Sequence, residues 1–174
     1  MSKSNLEDAR EAVRLALKEN RFNDALSLLD SLQIEFPDFC QDNAQYVLAV
    51  ADCHFELEHF PLALQSYQAA SKLLPGHLSV NYNLLKCLVG MEQWNSINSQ
   101  FEECLRLAKV EDIELVKYLY ILEAEVAFRQ KDMTKVYKAL KKAAEHGAMD
   151  IDVMESNLLY NALSDDPQFE EIFD

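Results

Sequence analysis

Residues 44–76 read AQYVLAVADCHFELEHFPLALQSYQAASKLLPG, and this stretch decides the fold class. Its second half carries an aromatic residue, an alanine, a second aromatic residue, a second alanine and a proline at Phe60, Ala63, Tyr67, Ala70 and Pro75. Gaps of three and four residues put the first four side chains on one face of a helix. The proline then ends that helix.

The same pattern recurs elsewhere in the chain with decreasing fidelity. The other copies are Phe22, Ala25, Leu29, Leu32 and Pro37, then Trp94, Ile97, Phe101 and Cys104, and then Met133, Val136, Leu140 and Ala143. Their first positions lie 38, 34 and 39 residues apart. A period in this range is typical of stacked helix pairs. It predicts an all-α, right-handed superhelix, or solenoid, of about four helix pairs with C-terminal capping helices.

The composition agrees with long helices joined by short links. Three glycines and four prolines in 174 residues are too few for a sheet with many turns. We predict one domain with helix pairs over residues 6–37, 44–76, 78–110 and 113–148 and a cap over 150–174. The individual helices are predicted at residues 23–35, 44–57, 61–73, 79–90, 95–108, 113–130 and 134–146.

Both ends of the chain carry helix-boundary signals. Ser4 and Glu7 have the spacing of a capping box, which predicts the start of the first helix. A helix from about Asp152 to Leu163 is expected in the cap. Asp166 is expected to cap a terminal helix, whose docking side chains are predicted to be Phe169, Ile172 and Phe173.

The cysteines and the N-terminus indicate the expected environment. Cys40, Cys53, Cys87 and Cys104 are too widely spaced for a metal knuckle or a redox pair, so we expect small buried side chains in a reducing compartment. The first residues are too polar for a secretory signal. No apolar run approaches the roughly 20 residues of a membrane span. We therefore expect a soluble, cytoplasmic protein without a cofactor.

Charge is distributed in blocks. A net charge of −14 argues against nucleic acid or an anionic membrane as the partner. Residues 22–71 contain no Lys or Arg but do contain eight carboxylates, at Asp24, Asp30, Glu35, Asp38, Asp42, Asp52, Glu56 and Glu58. A field of one sign can steer a basic partner. The alternative is that these acids only keep a small protein in solution.

These residues resemble the tetratricopeptide repeat (TPR) family. Residues of the second unit stand at the family's signature positions: Ala51, Phe60, Ala63, Tyr67, Ala70 and Pro75. The third unit keeps Trp94 and Phe101 but has Ile97 in place of alanine, and the fourth keeps little beyond Ala124 and Ala143. The tail at residues 163–169 is similar to endings of bacterial proteins of this family.

The resemblance implies a concave groove lined by the first helix of each unit. Carried over to this sequence, the peptide-binding positions are Leu48, Asp52, Phe55, Glu56, Tyr82, Asn83, Lys86, Tyr118, Ile121, Glu125 and Phe128. The aromatic residues would anchor a partner segment with apolar side chains, and the carboxylates would pair with its Lys or Arg. The alternative is that these aromatic side chains pack against neighbouring helices. The family's carboxylate clamp is disfavoured, because Leu48 and Asp52 stand where donors are needed.

Catalytic motifs are absent from the sequence. A helical zinc motif needs two histidines four residues apart, whereas His54 and His59 are five apart. There is no glycine-rich phosphate loop and no Gly-x-Ser-x-Gly elbow. We expect no enzymatic activity, no catalytic residue and no metal site.

Three functions remain open after this reasoning. The first is a protein- or peptide-binding adaptor, scaffold or co-chaperone that uses the groove. The second is a chaperone for secreted proteins, similar in size and charge to the class II chaperones of type III secretion. The third is a structural module that self-assembles through Trp94 and its neighbours, so a homo-oligomer is a further expectation.

Overall fold

The computed structural model describes residues 3–147 and 158–173, and in these ranges the chain forms helices and no strand. The elements are α1 (Lys3–Lys18), α2 (Phe22–Glu35), α3 (Pro37–Cys40), α4 (Ala44–Glu56), α5 (Phe60–Leu73), α6 (Leu78–Gly90), α7 (Trp94–Leu107), a 3-10 turn (Val110–Asp112), α8 (Ile113–Arg129), α9 (Met133–Glu145), α10 (Leu158–Leu163) and α11 (Pro167–Phe173).

The helices divide into two compact units, Met1–Ile97 and Asn98–Asp174. In the first unit, α1 packs on α2 and α4 packs on α5, while α2 also contacts α4 and α5 contacts α6. In the second unit, α8 packs on α9, α10 contacts α8 and α11 contacts α9. The single-domain organisation stays a prediction.

The turn inside each helix pair has the same backbone geometry four times over. Asn20, Glu58, Glu92 and Lys131 all have a positive φ, between 55° and 62°. In each turn the next residue donates its N–H to the carbonyl five residues back, as Arg21 does to Ala16 at 2.9 Å and Asp132 does to Ala127 at 2.9 Å. This is the Schellman ending of a helix. The four turns are 38, 34 and 39 residues apart, so they follow the period of the sequence motif.

Small residues allow the helices of the first unit to approach closely. Ala25, Ala51, Ala63 and Ala70 are all 0% exposed. Gly90, at the end of α6, faces the ring of Phe60 so closely that an added Cβ would lie 2.8 Å from it. Any side chain at Gly90 would therefore have to displace that ring. Burial of this alanine-lined face, rather than helix propensity, accounts for most of the stability of such short helices.

The core of the second unit is built from the degraded motif copy. Val136, Leu140 and Ala143 are all 0% exposed and pack with Ala124 and Ala139. Leu159 of α10 and Phe169 of α11 enter the same cluster, and Ile172 packs against it. Asp166 caps α11, because its Oδ1 accepts a hydrogen bond from the N–H of Gln168 at 2.9 Å.

Helix boundaries agree with the sequence prediction to within one residue from α2 through α9, with one exception. The exception lies between the first two predicted pairs, where Pro37–Cys40 forms the short helix α3, which buries Cys40 to 2% exposure. Proline at the first helical position explains the start of α3, because its missing N–H costs nothing there. The predicted cap helix start near Asp152 lies outside the described residues, as does the docking side chain of Phe173.

Candidate functional site

Seven of the eleven predicted binding residues lie in the first unit, on α4 and α6. The start of α4 is fixed by Asn43, whose Oδ1 accepts hydrogen bonds from the N–H groups of Gln45 at 3.0 Å and Tyr46 at 3.2 Å. From that start, Leu48, Asp52, Phe55 and Glu56 recur at the three- and four-residue spacing of one helix face. The local cap therefore sets the direction in which all four side chains point.

Asp52 is held by a residue of its paired helix. The Tyr67 hydroxyl on α5 donates a hydrogen bond to Asp52 Oδ1 at 2.5 Å. Tyr67 is 2% exposed, whereas Asp52 is exposed. Burial and, after it, the neighbouring carboxylate raise the pKa of Tyr67, so the hydroxyl remains a donor. The result is an oriented carboxylate at the surface, anchored from beneath by a buried phenol.

Phe55, Tyr82 and Lys86 form an aromatic and cationic cluster. The Lys86 ammonium lies 4.2 Å from the ring centre of Phe55 and 5.8 Å from that of Tyr82. The Phe55 ring also meets Phe60 edge to face, with centres 5.6 Å apart. All three cluster residues are half-buried. An ammonium within about 6 Å of aromatic faces is attracted by their quadrupoles, so Lys86 is positioned without a carboxylate partner among the described residues.

Glu56 and Asn83 complete the predicted group in the first unit. Glu56 is exposed one residue beyond Phe55, and Asn83 is half-buried one residue beyond Tyr82. The negative charges of this face also affect the thiol of Cys53, which lies between them in the sequence. Burial, then the charges of Asp52 and Glu56, raise the pKa of Cys53 to about 11. The predicted combination of aromatic rings and carboxylates is thus present on one unit.

The four predicted residues of the second unit are less accessible. Ile121 is only 7% exposed and belongs to the core cluster, so its assignment as a contact residue is corrected to a packing role. Tyr118 and Phe128 are half-buried and pack against the same cluster. Glu125 forms an ion pair with Arg129 of its own helix at 2.6 Å. Sequence spacing alone could not separate Ile121 from its more exposed neighbours, because α8 is apolar on more than one face.

A pocket that the sequence prediction missed lies between α1, α2, α3 and α4 of the first unit. Its volume is about 190 Å³, and the lining comprises Arg10, Val13, Arg14, Leu17, Leu29, Leu32, Phe39, Asn43, Gln45, Tyr46 and Ala49. Phe39 comes from the unpredicted helix α3, and its ring lies 5.3 Å from the Arg10 guanidinium. The first repeat period is 38 residues, four more than the second, and these extra residues could have indicated an additional segment between the first two pairs.

Reactive and metal-binding chemistry finds little support among the described residues. The four cysteines are buried, as expected, and burial raises the pKa of Cys87 and Cys104 to about 11, which keeps the thiols protonated. No group of three or more His, Cys, Asp or Glu side chains converges there as a metal site. In the same part of the chain, none of the helices combines the length and apolar character needed to cross a membrane.

Solved structures with the same fold as this chain include PcrH and MamA. PcrH, crystallised in complex with the chaperone binding region of PopD, is 18% identical and superimposes with a TM-score of 0.62 over 75% of this chain and 96% of PcrH. The MamA RS-1 ArsTM double mutant is 16% identical, with a TM-score of 0.70 over 96% of this chain and 92% of MamA. Both are TPR-type helical repeat proteins.

These likenesses confirm the predicted all-α fold of successive helix pairs. Sequence comparison adds no family, since no family model and no curated protein matches this chain. The assignment of the fold therefore rests on structural similarity at low sequence identity. Function has to be argued from the surfaces of each unit.

Proposed function

We propose that this chain binds a segment of another protein on the α4–α6 face of its first unit, as an adaptor, scaffold or co-chaperone. One observation carries the proposal: half-buried aromatic rings of Phe55 and Tyr82 flank Lys86, beside the exposed carboxylates of Asp52 and Glu56. The likeness to PcrH, which was crystallised with a region of its partner PopD, supports a role in protein binding.

The chemistry of this face favours a segment with both apolar and basic side chains. Aromatic residues supply large contact areas and dominate the energy of most interfaces. Asp52 is already oriented by the Tyr67 hydroxyl, so little conformational entropy is lost when it pairs with a Lys or Arg. The Lys86 ammonium has three N–H donors, and aromatic faces satisfy none of them by ordinary hydrogen bonds. Those donors can serve a carbonyl of the partner backbone.

Tyr118, Glu125 and Phe128 form a second proposed contact surface, on α8 of the second unit. Tyr118 and Phe128 are half-buried, so part of each ring is accessible. In the ion pair between Glu125 and Arg129, the two side chains are 18% and 35% exposed. Such partly exposed pairs contribute little to stability and can exchange partners. The proposal includes no catalytic step, cofactor or metal.

Selection of peptides on the full chain tests the proposal. A library of random 12-residue peptides, displayed and panned on the wild-type chain, should enrich segments containing apolar and basic residues. Binding of an enriched peptide, measured by fluorescence polarisation, should weaken about tenfold in Tyr82→Ala, which removes the ring. Tyr82→Phe is the matched control and should bind within about threefold of wild type, since it keeps the ring.

Two results would refute the proposal. One is the absence of any enriched peptide relative to panning on bare support. The other is equal affinity of the enriched peptide for wild type and for Tyr82→Ala, provided that the variant keeps its wild-type helical circular dichroism. The same measurement on Tyr118→Ala tests the surface of the second unit independently.

A chaperone role for a secreted protein is the second candidate, and the similarity to PcrH favours it. In this role the exposed apolar and acidic face would hold an aggregation-prone client before its export. Co-expression should raise the soluble fraction of such a client, and the Tyr82→Ala variant should raise it less. A client whose soluble fraction does not change on co-expression would argue for the adaptor role instead.

A further inference from the structure

We infer that the pocket between α1, α2, α3 and α4 accepts an apolar side chain with a carboxylate beside it. The segment bound by the first unit would then carry its acidic and basic residues in a fixed order along α4. The inference rests on the proposed function, because it names the chemistry of the segment bound there. It concerns a different set of residues from the aromatic cluster around Lys86.

The floor of the pocket is apolar and already buried. Val13, Leu29 and Leu32 are 8%, 2% and 3% exposed. The volume of about 190 Å³ exceeds the roughly 150 Å³ of an apolar cavity that holds a benzene-sized group. Phe39 closes one side of the pocket. One aliphatic or aromatic side chain of a partner therefore fits, and it would exchange water contact for apolar contact.

The charged groups of the pocket are all cationic. Arg10 and Arg14 line it, and no Asp or Glu is among the described residues that do so. This is unusual for a chain with 30 acidic and 16 basic residues. Asp38 and Asp42 line an adjoining shallow depression, which shares Phe39, Asn43 and Gln45 with the pocket. The pocket thus favours a carboxylate next to the apolar side chain, and Arg can bind it with two parallel N–H groups.

Both arginines can change partners at low cost. The Arg10 guanidinium donates hydrogen bonds to both Glu7 carboxylate oxygens at 3.0 Å, and Arg14 pairs with Glu11. Both ion pairs lie on the exposed surface of α1, and in each pair the two partners are three residues apart. Such pairs contribute little to stability and leave other guanidinium donors unused. A carboxylate of the partner would bind these arginines more strongly than Glu7 and Glu11 do, because the apolar contact beneath it excludes water.

The order of charge follows from the register of α4. Gln45 and Ala49 line the pocket, and Asp52 and Glu56 continue the same stripe at spacings of three and four residues. At about 1.5 Å of rise per residue, Asp52 lies about 4.5 Å and Glu56 about 10.5 Å beyond Ala49 along the axis. An extended segment covers about 10 Å in three residues. A basic residue is therefore expected about three residues from the acidic and apolar anchor.

Parallel selections on three forms of the full chain test this inference. The forms are wild type, Arg10→Gln/Arg14→Gln and Asp52→Asn/Glu56→Gln, each panned with the same 12-residue library. The wild type should enrich an acidic residue adjacent to an aliphatic or aromatic one, with Lys or Arg about three positions away. The arginine variant should lose the acidic preference and keep the apolar one. The carboxylate variant should lose only the basic preference.

Affinity measurements with the enriched peptide make the test quantitative. Arg10→Gln/Arg14→Gln should raise the dissociation constant about tenfold, the effect of losing one charge-assisted contact. Arg21→Gln/Lys72→Gln is the matched control, since it removes the same charge from exposed positions of the first unit outside the pocket lining. This control should stay within about twofold of wild type, because distant exposed charges are screened by salt.

The outcomes separate the inference from the proposed function. Enrichment of apolar and basic residues without an acidic preference would overturn the inference and leave the proposed function intact. No enrichment on any form would overturn both. If sedimentation shows that the chain self-associates and that Arg10→Gln/Arg14→Gln abolishes it, the pocket binds a second copy and the inference is wrong.

Discussion

The helix pairs α4–α5 and α8–α9 use corresponding motif positions but secure their surface carboxylates differently. Tyr67 and Leu140 occupy the same motif position, and they are 2% and 0% exposed. The Tyr67 hydroxyl reaches across the pair to Asp52, at 2.5 Å. Leu140 has no hydroxyl, and Glu125, which corresponds to Asp52, pairs with Arg129 of its own helix at 2.6 Å.

This difference shows which part of the repeat motif serves the fold and which serves the surface. Both pairs need a large apolar side chain at that position and alanines around it, as Ala63 and Ala139 show with 0% and 1% exposure. The tyrosine hydroxyl is an addition that orients a carboxylate. A repeat can therefore lose the hydroxyl and keep its packing, but the carboxylate at the position of Asp52 is then held by an arginine of its own helix.

The largest expected effect is shared by the two pairs. Tyr67→Ala and Leu140→Ala each remove a fully buried side chain, so each should lower the free energy of unfolding by about 2–5 kcal/mol. Urea unfolding followed by circular dichroism measures both. Leu62→Ala, at a position 48% exposed, is the control and should change it by under about 0.5 kcal/mol. A cost below about 1 kcal/mol for Leu140→Ala would mean that the degraded repeat is not packed as described.

The next effect should separate the two pairs. Tyr67→Phe keeps the ring and removes the hydrogen bond to Asp52, which should cost about 0.5–1.5 kcal/mol. Arg129→Met removes the partner of Glu125 and should cost under about 0.5 kcal/mol. Tyr46→Phe, whose hydroxyl reaches the Leu29 carbonyl only at 3.4 Å, is the matched control for loss of a phenol. Equal costs for Tyr67→Phe and Arg129→Met would contradict the distinction between the pairs.

The smallest effect concerns the second unit alone. The Tyr137 hydroxyl donates a hydrogen bond to Asp166 Oδ2 at 2.6 Å and, with the Gln168 N–H, lowers the pKa of Asp166 below its usual 3.8. Because the folded pKa is depressed, this contribution to stability is present above about pH 4 and is lost as the pH falls through the folded value.

Tyr137→Phe should therefore move the pKa of Asp166 back towards 3.8. Carboxyl carbon shifts in an NMR titration of both proteins report this value directly. An unmoved Asp166 titration would show that the phenol does not hold the start of α11 in solution.

Much of the fold was predictable because its signals are local. Proline at 37, 61 and 75 and apolar spacing of three and four residues set the helix ends to within one residue. The four left-handed turn residues then follow the motif period even where Trp94 and Met133 replace phenylalanine. Local sequence and helix packing point to the same structure here, as expected of a repeat fold.

The site was less predictable because accessibility depends on tertiary packing. Spacing placed Ile121 on the same face as Tyr118, yet the contacts of α8 bury it to 7% exposure. Helix α3 and its Phe39 were missed, since a four-residue helix has no periodic pattern to detect. The pocket that Phe39 closes depends on that missed element, so its closed shape could be recognised only in the structure.

The central claim is that a partner segment binds the α4–α6 face of the first unit, and NMR chemical-shift mapping tests it most directly. The ¹⁵N-labelled full chain is titrated with the peptide enriched on wild type. The account predicts saturable shifts of the amides around Asp52, Phe55 and Tyr82, which need about tenfold more peptide to saturate in Tyr82→Ala. Shifts confined to other surfaces, such as the exposed lysines Lys138 and Lys141 of α9, would contradict it.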